Sequence, residues 1–115
     1  LKNKGIFIFK NLGMINYLSL IKICDIIVGN SSSGIFEAPY LNTLTINIGN
    51  RQQGRLMDKT VYNCKPDQNI ITKKIKSLLK IIKNKTKPKC TKIYGNGNAA
   101  LTAFKIINNI DIRKL

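Results

Sequence analysis

A serine-rich turn is the first segment whose residue types could do chemistry. The stretch GNSSSGIFEAP (29–39) follows a short apolar run and leads into a predicted helix. Free N–H groups and the helix dipole at such a junction attract phosphate, and serine hydroxyls add further donors. A serine helix cap without any ligand explains the same spacing. The pattern alone therefore leaves a phosphate site and a simple cap as equal alternatives.

Glu37 lies in the same stretch and is the only glutamate of the chain. A carboxylate can accept two hydrogen bonds from neighbouring hydroxyl groups, such as those of a ribose. We expect Glu37 in the first turn of the helix, where a negative charge also stabilises the helix dipole. A ribose contact and a purely structural role both remain open at this point.

Two arginines follow the next apolar run, in the sequence GNRQQGR (49–55). Arg51 and Arg55 are two of only three arginines among 20 basic residues. Arginine suits planar recognition of phosphate or carboxylate, whereas lysine acts as a point charge. The alternative is a surface loop with solvated charges, and the choice of arginine favours a binding role.

The order of predicted elements explains how these segments could meet. Short apolar runs predict strands, and apolar residues at helical spacing predict helices. The predicted strands are 6–9, 25–29, 44–48 and 60–63, and the predicted helices are 14–23, 35–41, 67–83 and 99–110. Alternation of this kind is typical of a parallel sheet with crossover helices, an α/β fold. Right-handed crossovers then place the serine turn and the arginine segment at the carboxyl ends of neighbouring strands, where α/β proteins bind ligands.

Two helices carry more detailed predictions. Asp67 is expected to cap the helix 67–83, and Pro39 is expected near the first turns of the helix 35–41. The apolar stripe of the helix 67–83 is predicted to contain Ile71, Ile75, Leu78, Leu79 and Ile82. Its lysines lie largely off that stripe, which indicates a solvated polar face.

Composition limits the class of protein. The chain has 115 residues, which fits one small domain or a piece of a larger one, and it begins at Leu1 rather than Met, so we expect a fragment. No histidine is present, which excludes a histidine base or metal ligand within these residues. No apolar run is long enough for a transmembrane helix. Three widely spaced cysteines predict reduced thiols in a cytoplasmic protein and no metal site.

The net charge of +15 raises the alternative of a small basic nucleic-acid-binding domain. Lysine accounts for 17 of the 20 basic residues and is spread along the whole chain. Base readout favours arginine, so we expect no specific nucleic-acid site.

The motifs together resemble a known family. The segment CDIIVGNSSSGIFEAPYLNTLTINIGNRQQGR (24–55) and the turn YGNGNA (94–99) are similar to the carboxyl-terminal domain of UDP-N-acetylglucosamine 2-epimerases, closest to the hydrolysing branch. The resemblance implies a Rossmann-like domain, the second half of a two-domain GT-B enzyme whose active site lies between the domains. Residues 1–115 would then be part of the nucleotide-binding domain, with the first domain absent. In many relatives Asp stands in place of Asn50.

The resemblance also implies roles for individual residues. Ser31 and Ser32 would bind the diphosphate of UDP, Glu37 the ribose, and Arg51 would lie at the UDP site. Gly34 would keep the turn open for its N–H groups. Further candidates for this site are Asn30, Ser33 and Arg55.

The implied reaction is anti elimination of UDP from UDP-N-acetylglucosamine, followed by hydration of a 2-acetamidoglucal to N-acetylmannosamine. The family's catalytic carboxylates and histidine lie outside this segment, so no catalytic residue is expected here and the chain alone is expected to be inactive. A UDP-sugar is the implied partner, without metal, cofactor or membrane, and the full-length enzyme is expected to be a homo-oligomer. A non-hydrolysing epimerase or another GT-B sugar-nucleotide enzyme remains an alternative.

Overall fold

A computed structural model describes residues 5–110 of the chain. The elements alternate between helices and strands for most of this length. In chain order they are α1 (Gly13–Ile23), β1 (Ile26–Gly29), α2 (Ser33–Tyr40), β2 (Leu44–Ile48), β3 (Val61–Cys64), α3 (Gln68–Lys83) and α4 (Ala99–Asn108).

The three strands form one parallel sheet in the order β1-β2-β3. Val28 pairs with Ile46, and Ile46 pairs with Tyr62, so the strands run in close register. The α2 helix connects β1 to β2, which is the crossover that parallel neighbours require. The predicted α/β, Rossmann-like fold is therefore confirmed.

The core lies between the sheet and α3. Leu44 and Ile46 of β2 and Leu78 of α3 are fully buried against one another. The Asp67 side chain accepts a hydrogen bond from the Ile70 N–H at 2.9 Å, which confirms the predicted helix cap. Ile75, Leu78 and Ile82 of the predicted stripe lie in this core. The prediction for Leu79 was wrong, because Leu79 is 47% exposed and Ile81 packs against the core instead.

The α2 helix packs unusually close to β2. A Cβ atom added to Gly34 would lie 2.6 Å from Cγ2 of Thr45, closer than real Cβ contacts. The Thr45 hydroxyl also donates to the Gly34 carbonyl oxygen at 2.8 Å. The prediction that Pro39 lies near the first turns of its helix was wrong, because α2 begins at Ser33 and Pro39 lies buried in its last turn. Close packing and these buried side chains fix α2, and with it the serine turn, on the sheet.

The predicted strand 6–9 is absent. Residues 6–9 form no helix or strand, and their side chains are 58–91% exposed. A strand needs a hydrogen-bonding neighbour, and no strand in residues 5–110 pairs with this segment. The described sheet therefore begins at β1.

The predicted helix 99–110 is confirmed as α4, which ends two residues earlier. None of its residues is buried, and Phe104 and Ile107 are 65% and 68% exposed. Between residues 5 and 110, no helix combines the length and hydrophobicity needed to span a bilayer.

Candidate functional site

The serine turn is built around Ser31. The Ser31 hydroxyl oxygen accepts a hydrogen bond from the Ser33 N–H at 3.3 Å, and its carbonyl oxygen accepts one from the Gly34 N–H at 3.2 Å. The Ser32 side chain makes no capping hydrogen bond and is exposed. The N–H groups of Ser33 and Gly34 are thus already occupied by hydrogen bonds within the turn. The hydroxyl groups of Ser31 and Ser32 remain available as donors.

Gly34 has a packing role that the sequence did not predict. It is buried, and its lack of a side chain permits the close approach to Thr45. Its N–H group is bonded to Ser31, as described above. The geometry thus assigns Gly34 to helix–sheet packing, whereas a direct role in binding a ligand stays a prediction.

Glu37 lies on the exposed side of α2, four residues after the helix begins. The prediction that it belongs to the first turn was wrong, because the helix starts at Ser33 rather than Ile35. The Arg55 guanidinium lies over the ring of the neighbouring Phe36, with its central carbon 5.1 Å from the ring centroid. Contacts of this kind between an arginine and an aromatic face are attractive. Arg55 is thereby held beside the helix that carries Glu37.

The segment of residues 49–59, here called the arginine loop, leaves the end of β2 at Gly49. Gly49 has a φ of +76°, a left-handed conformation that glycine adopts without strain. The Gln52 side chain then donates to the Asn30 carbonyl oxygen at 2.8 Å. Gln52 is only 2% exposed, so its side of this contact is shielded from solvent. It ties the arginine loop directly to the serine turn, while Arg51 itself is exposed.

Asp58 closes the arginine loop and is 2% exposed. One of its oxygens accepts from the Thr60 N–H at 3.0 Å and the Thr60 hydroxyl at 2.9 Å. The other accepts from the Thr91 N–H at 2.7 Å and from the Thr91 hydroxyl. Burial opposes ionisation and would raise the pKa of Asp58, but these hydrogen bonds outweigh it and lower the pKa to about 2. Asp58 is therefore ionised, and its carboxylate joins the end of the arginine loop to Thr91.

Two large clefts lie close to the joined loops, beside a smaller one of about 210 Å³ that includes Asn50 and Gln53. One, of about 680 Å³, lies at the ends of β2 and β3 and includes Asn50, Lys65 and Lys74. The other, of about 720 Å³, lies at the start of α1 and includes Tyr17. The Tyr17 hydroxyl donates to the Ser33 hydroxyl oxygen at 2.9 Å, which connects this second cleft to the serine turn.

The prediction that the serine turn and the arginine segment share one sheet edge is confirmed. Both follow neighbouring parallel strands, and the Gln52–Asn30 hydrogen bond joins them. Sequence reasoning missed the contacts of Tyr17, Gln52 and Asp58. Only Asp58 carried a usable signal, since it is one of five acidic residues in a lysine-rich chain.

The fold and this edge define a Rossmann-like α/β domain that joins the serine turn to the arginine loop at the carboxyl end of its sheet. Hydroxyl and guanidinium groups on these two segments are the kinds of donor that bind an anion.

The chain belongs to the UDP-N-acetylglucosamine 2-epimerase family, since the profile of that family matches residues 1–108. It is 52% identical over 56 residues to GDP/UDP-N,N'-diacetylbacillosamine 2-epimerase (hydrolyzing) of Campylobacter jejuni, which covers 49% of this chain and 15% of the relative. It is 33% identical over 99 residues to polysialic acid biosynthesis protein P7 of Escherichia coli, covering 82% of this chain and 24% of the relative.

A third relative is UDP-N,N'-diacetylbacillosamine 2-epimerase (hydrolyzing) of Legionella pneumophila, 29% identical over 105 residues, or 91% of this chain and 27% of the relative. The chain thus spans at most about a quarter of the length of these curated relatives.

Proposed function

We propose that this chain supplies the UDP-binding part of a hydrolysing UDP-N-acetylglucosamine 2-epimerase with a GT-B arrangement. The observation that carries the proposal is the junction of the serine turn and the arginine loop through Gln52 and Asn30. Membership of the epimerase family supports a sugar nucleotide as ligand. The Campylobacter and Legionella relatives are both described as hydrolysing 2-epimerases, which supports the hydrolysing branch.

Each proposed contact follows from the chemistry of the group concerned. The hydroxyls of Ser31 and Ser32 donate to the diphosphate, and Arg51 neutralises part of its charge. Glu37 accepts hydrogen bonds from the two ribose hydroxyls. The remaining candidates Asn30, Ser33 and Gly34 shape the turn, and Arg55 adds positive charge from its place on Phe36.

The proposed reaction begins when a base removes the C2 proton of the sugar. The C1–O bond then breaks, its electrons pass to the leaving UDP, and a 2-acetamidoglucal remains. Water then adds its hydroxyl to C1, and C2 receives a proton on the face opposite to the one that lost its proton, which gives N-acetylmannosamine. Donors on the diphosphate stabilise the negative charge that develops as UDP leaves. The present residues supply that stabilisation, and the proton transfers belong to groups outside them, so the chain alone should not turn over UDP-N-acetylglucosamine.

Calorimetry with serine variants tests the proposal. A hydrogen bond to a charged group contributes about 1.5–3 kcal/mol, so Ser31→Ala or Ser32→Ala should weaken UDP binding about tenfold or more. Ser77→Ala on the exposed side of α3 is the matched control and should leave the affinity unchanged. Absence of UDP binding by the unmodified chain, or equal losses in all three variants, would contradict the proposal. GDP titrated in parallel shows whether the site distinguishes the base.

A further inference from the structure

Residues 91–95, here called the strap, run from the end of a loop toward α4 and contain the start of the YGNGNA motif. The proposed function assigns no role to this motif. The strap has no regular secondary structure, yet it contacts both the arginine loop and α2.

On the side of the arginine loop, the strap makes three hydrogen bonds. The Thr91 N–H and hydroxyl both donate to the buried Asp58 carboxylate. The Tyr94 hydroxyl donates to the carbonyl oxygen of Leu56, the residue next to Arg55. The strap therefore holds the arginine loop at two residues, Leu56 and Asp58.

On the side of α2, the strap packs against two aromatic residues. The Tyr94 ring meets the Phe36 ring edge to face, with centroids 4.7 Å apart. The Tyr40 hydroxyl donates to the Gly95 carbonyl oxygen at 2.6 Å. Phe36 is also the ring on which the Arg55 guanidinium lies. The strap thus contacts both the backbone of Leu56, next to Arg55, and the Phe36 ring that the Arg55 side chain covers.

We propose that the strap positions Arg55 for the anion, with Asp58 and Thr91 as positioning residues that act through the arginine loop. This inference rests on the proposed UDP site. Arginine loses considerable side-chain freedom when it binds a ligand, and a side chain that is already ordered loses less. The strap therefore raises affinity without touching the ligand.

The first test compares two substitutions of Thr91. Thr91 is an exposed residue, so we expect both variants to fold. Thr91→Val has nearly the same shape but lacks the hydroxyl that donates to Asp58, and Thr91→Ser retains it. We expect Thr91→Val to weaken UDP binding about fivefold and Thr91→Ser to stay within about twofold of the unmodified chain. Equal affinities for the two variants would overturn the inference while leaving the proposed function intact.

The second test is a double-mutant cycle with Arg55→Gln. If the strap acts through Arg55, the Arg55→Gln substitution should cost less affinity in the Thr91→Val background than in the unmodified chain. Additive losses would show that Thr91 acts only through general stability, and would overturn the inference.

A third measurement does not depend on UDP. The Nε–Hε group of Arg55 should show an ordered signal in NMR relaxation of the unmodified chain and a more mobile one in Thr91→Val, with Thr91→Ser unchanged. If the unmodified chain fails to bind UDP, the proposed function fails, and this measurement still decides whether the strap orders Arg55. Unchanged mobility in Thr91→Val would contradict that role.

Discussion

Glu37 and Asp58 show how two carboxylates of one lysine-rich chain come to occupy opposite environments. Glu37 is exposed on α2, so its oxygens are free to meet a ligand. Asp58 is buried and accepts four hydrogen bonds from Thr60 and Thr91, so its oxygens are committed to the fold. Substitution of the first should change ligand affinity, and substitution of the second should change the pH dependence of stability.

Replacement of Glu37 by Gln keeps the size of the side chain and removes its charge. We expect Glu37→Gln to weaken UDP more than it weakens inorganic diphosphate, because only UDP carries the ribose hydroxyls that the carboxylate binds. Calorimetry with both ligands measures the difference. Asp25→Asn, the same kind of change at an exposed residue before β1, is the control. Equal losses for UDP and diphosphate would contradict the ribose assignment.

Asp58 should make the stability of the chain depend on pH in acid. Its pKa is lowered from 3.8 to about 2 in the folded state, so its stabilising effect is complete above about pH 4 and disappears as the pH falls toward 2. The difference between the two pKa values corresponds to about 2 kcal/mol of unfolding free energy. Urea unfolding at pH 5 and pH 3 should show a smaller acid-induced loss in Asp58→Asn than in the unmodified chain. Parallel losses in the two proteins would contradict this assignment.

At the scale of elements, the contact between α2 and β2 leads to a prediction about packing. Gly34→Ala should destabilise the fold by about 1–3 kcal/mol, because the added Cβ would meet Cγ2 of Thr45 and force a shift. Thr45→Ser removes that methyl group and retains the hydroxyl that bonds the Gly34 carbonyl oxygen. The double variant should therefore lose less stability in urea unfolding than the sum of the two single variants. Simple additivity would show that the close approach is not the cause.

Elements with a strong local pattern were predictable from the sequence, and elements that depend on a distant partner were not. The α3 helix was predictable because its apolar period and its Asp67 cap are both local. The apolar run 6–9 has the composition of a strand, but a strand also needs a neighbour, and composition carries no information about one. Leu79 and Ile81 were misplaced because the side of α3 that faces the sheet is decided by packing.

The candidate site was predictable in its location and less so in its details. The order of strands and turns placed the serine turn beside the arginine segment, because the carboxyl ends of parallel neighbours meet at one edge. The close approach of Gly34 to Thr45 joins residues 11 apart, and the Asp58–Thr91 contact joins residues 33 apart. Contacts between residues this far apart leave no periodic pattern in the sequence, so they could not be predicted from it.

At the scale of the whole molecule, the charge of +15 predicts binding to nucleic acid without sequence preference. Lys73, Lys76 and Lys80 are exposed on α3, and Gln is nearly as good a helix former as Lys. Their replacement by Gln should lower DNA affinity and leave UDP binding unchanged, and any DNA binding should fall steeply with salt.

The matched control for this prediction replaces three exposed lysines outside α3, Lys22, Lys85 and Lys89, by Gln. Both triple variants should lose DNA affinity to a similar extent if the charge acts diffusely. A preference above about 4 kcal/mol for one DNA sequence over random DNA would instead support a specific nucleic-acid site.

The exposed apolar segment 6–9 has a practical consequence for handling the isolated chain. Ile8 is 91% exposed and Phe7 79%, and contiguous exposed apolar side chains favour self-association. Repulsion between copies that each carry +15 opposes that association, but only over the Debye length, which is about 10 Å at 0.1 M salt and 3 Å at 1 M. Buffers of low ionic strength should therefore keep the chain monodisperse, whereas the concentrated salt used to strip nucleic acid from basic proteins should promote its aggregation.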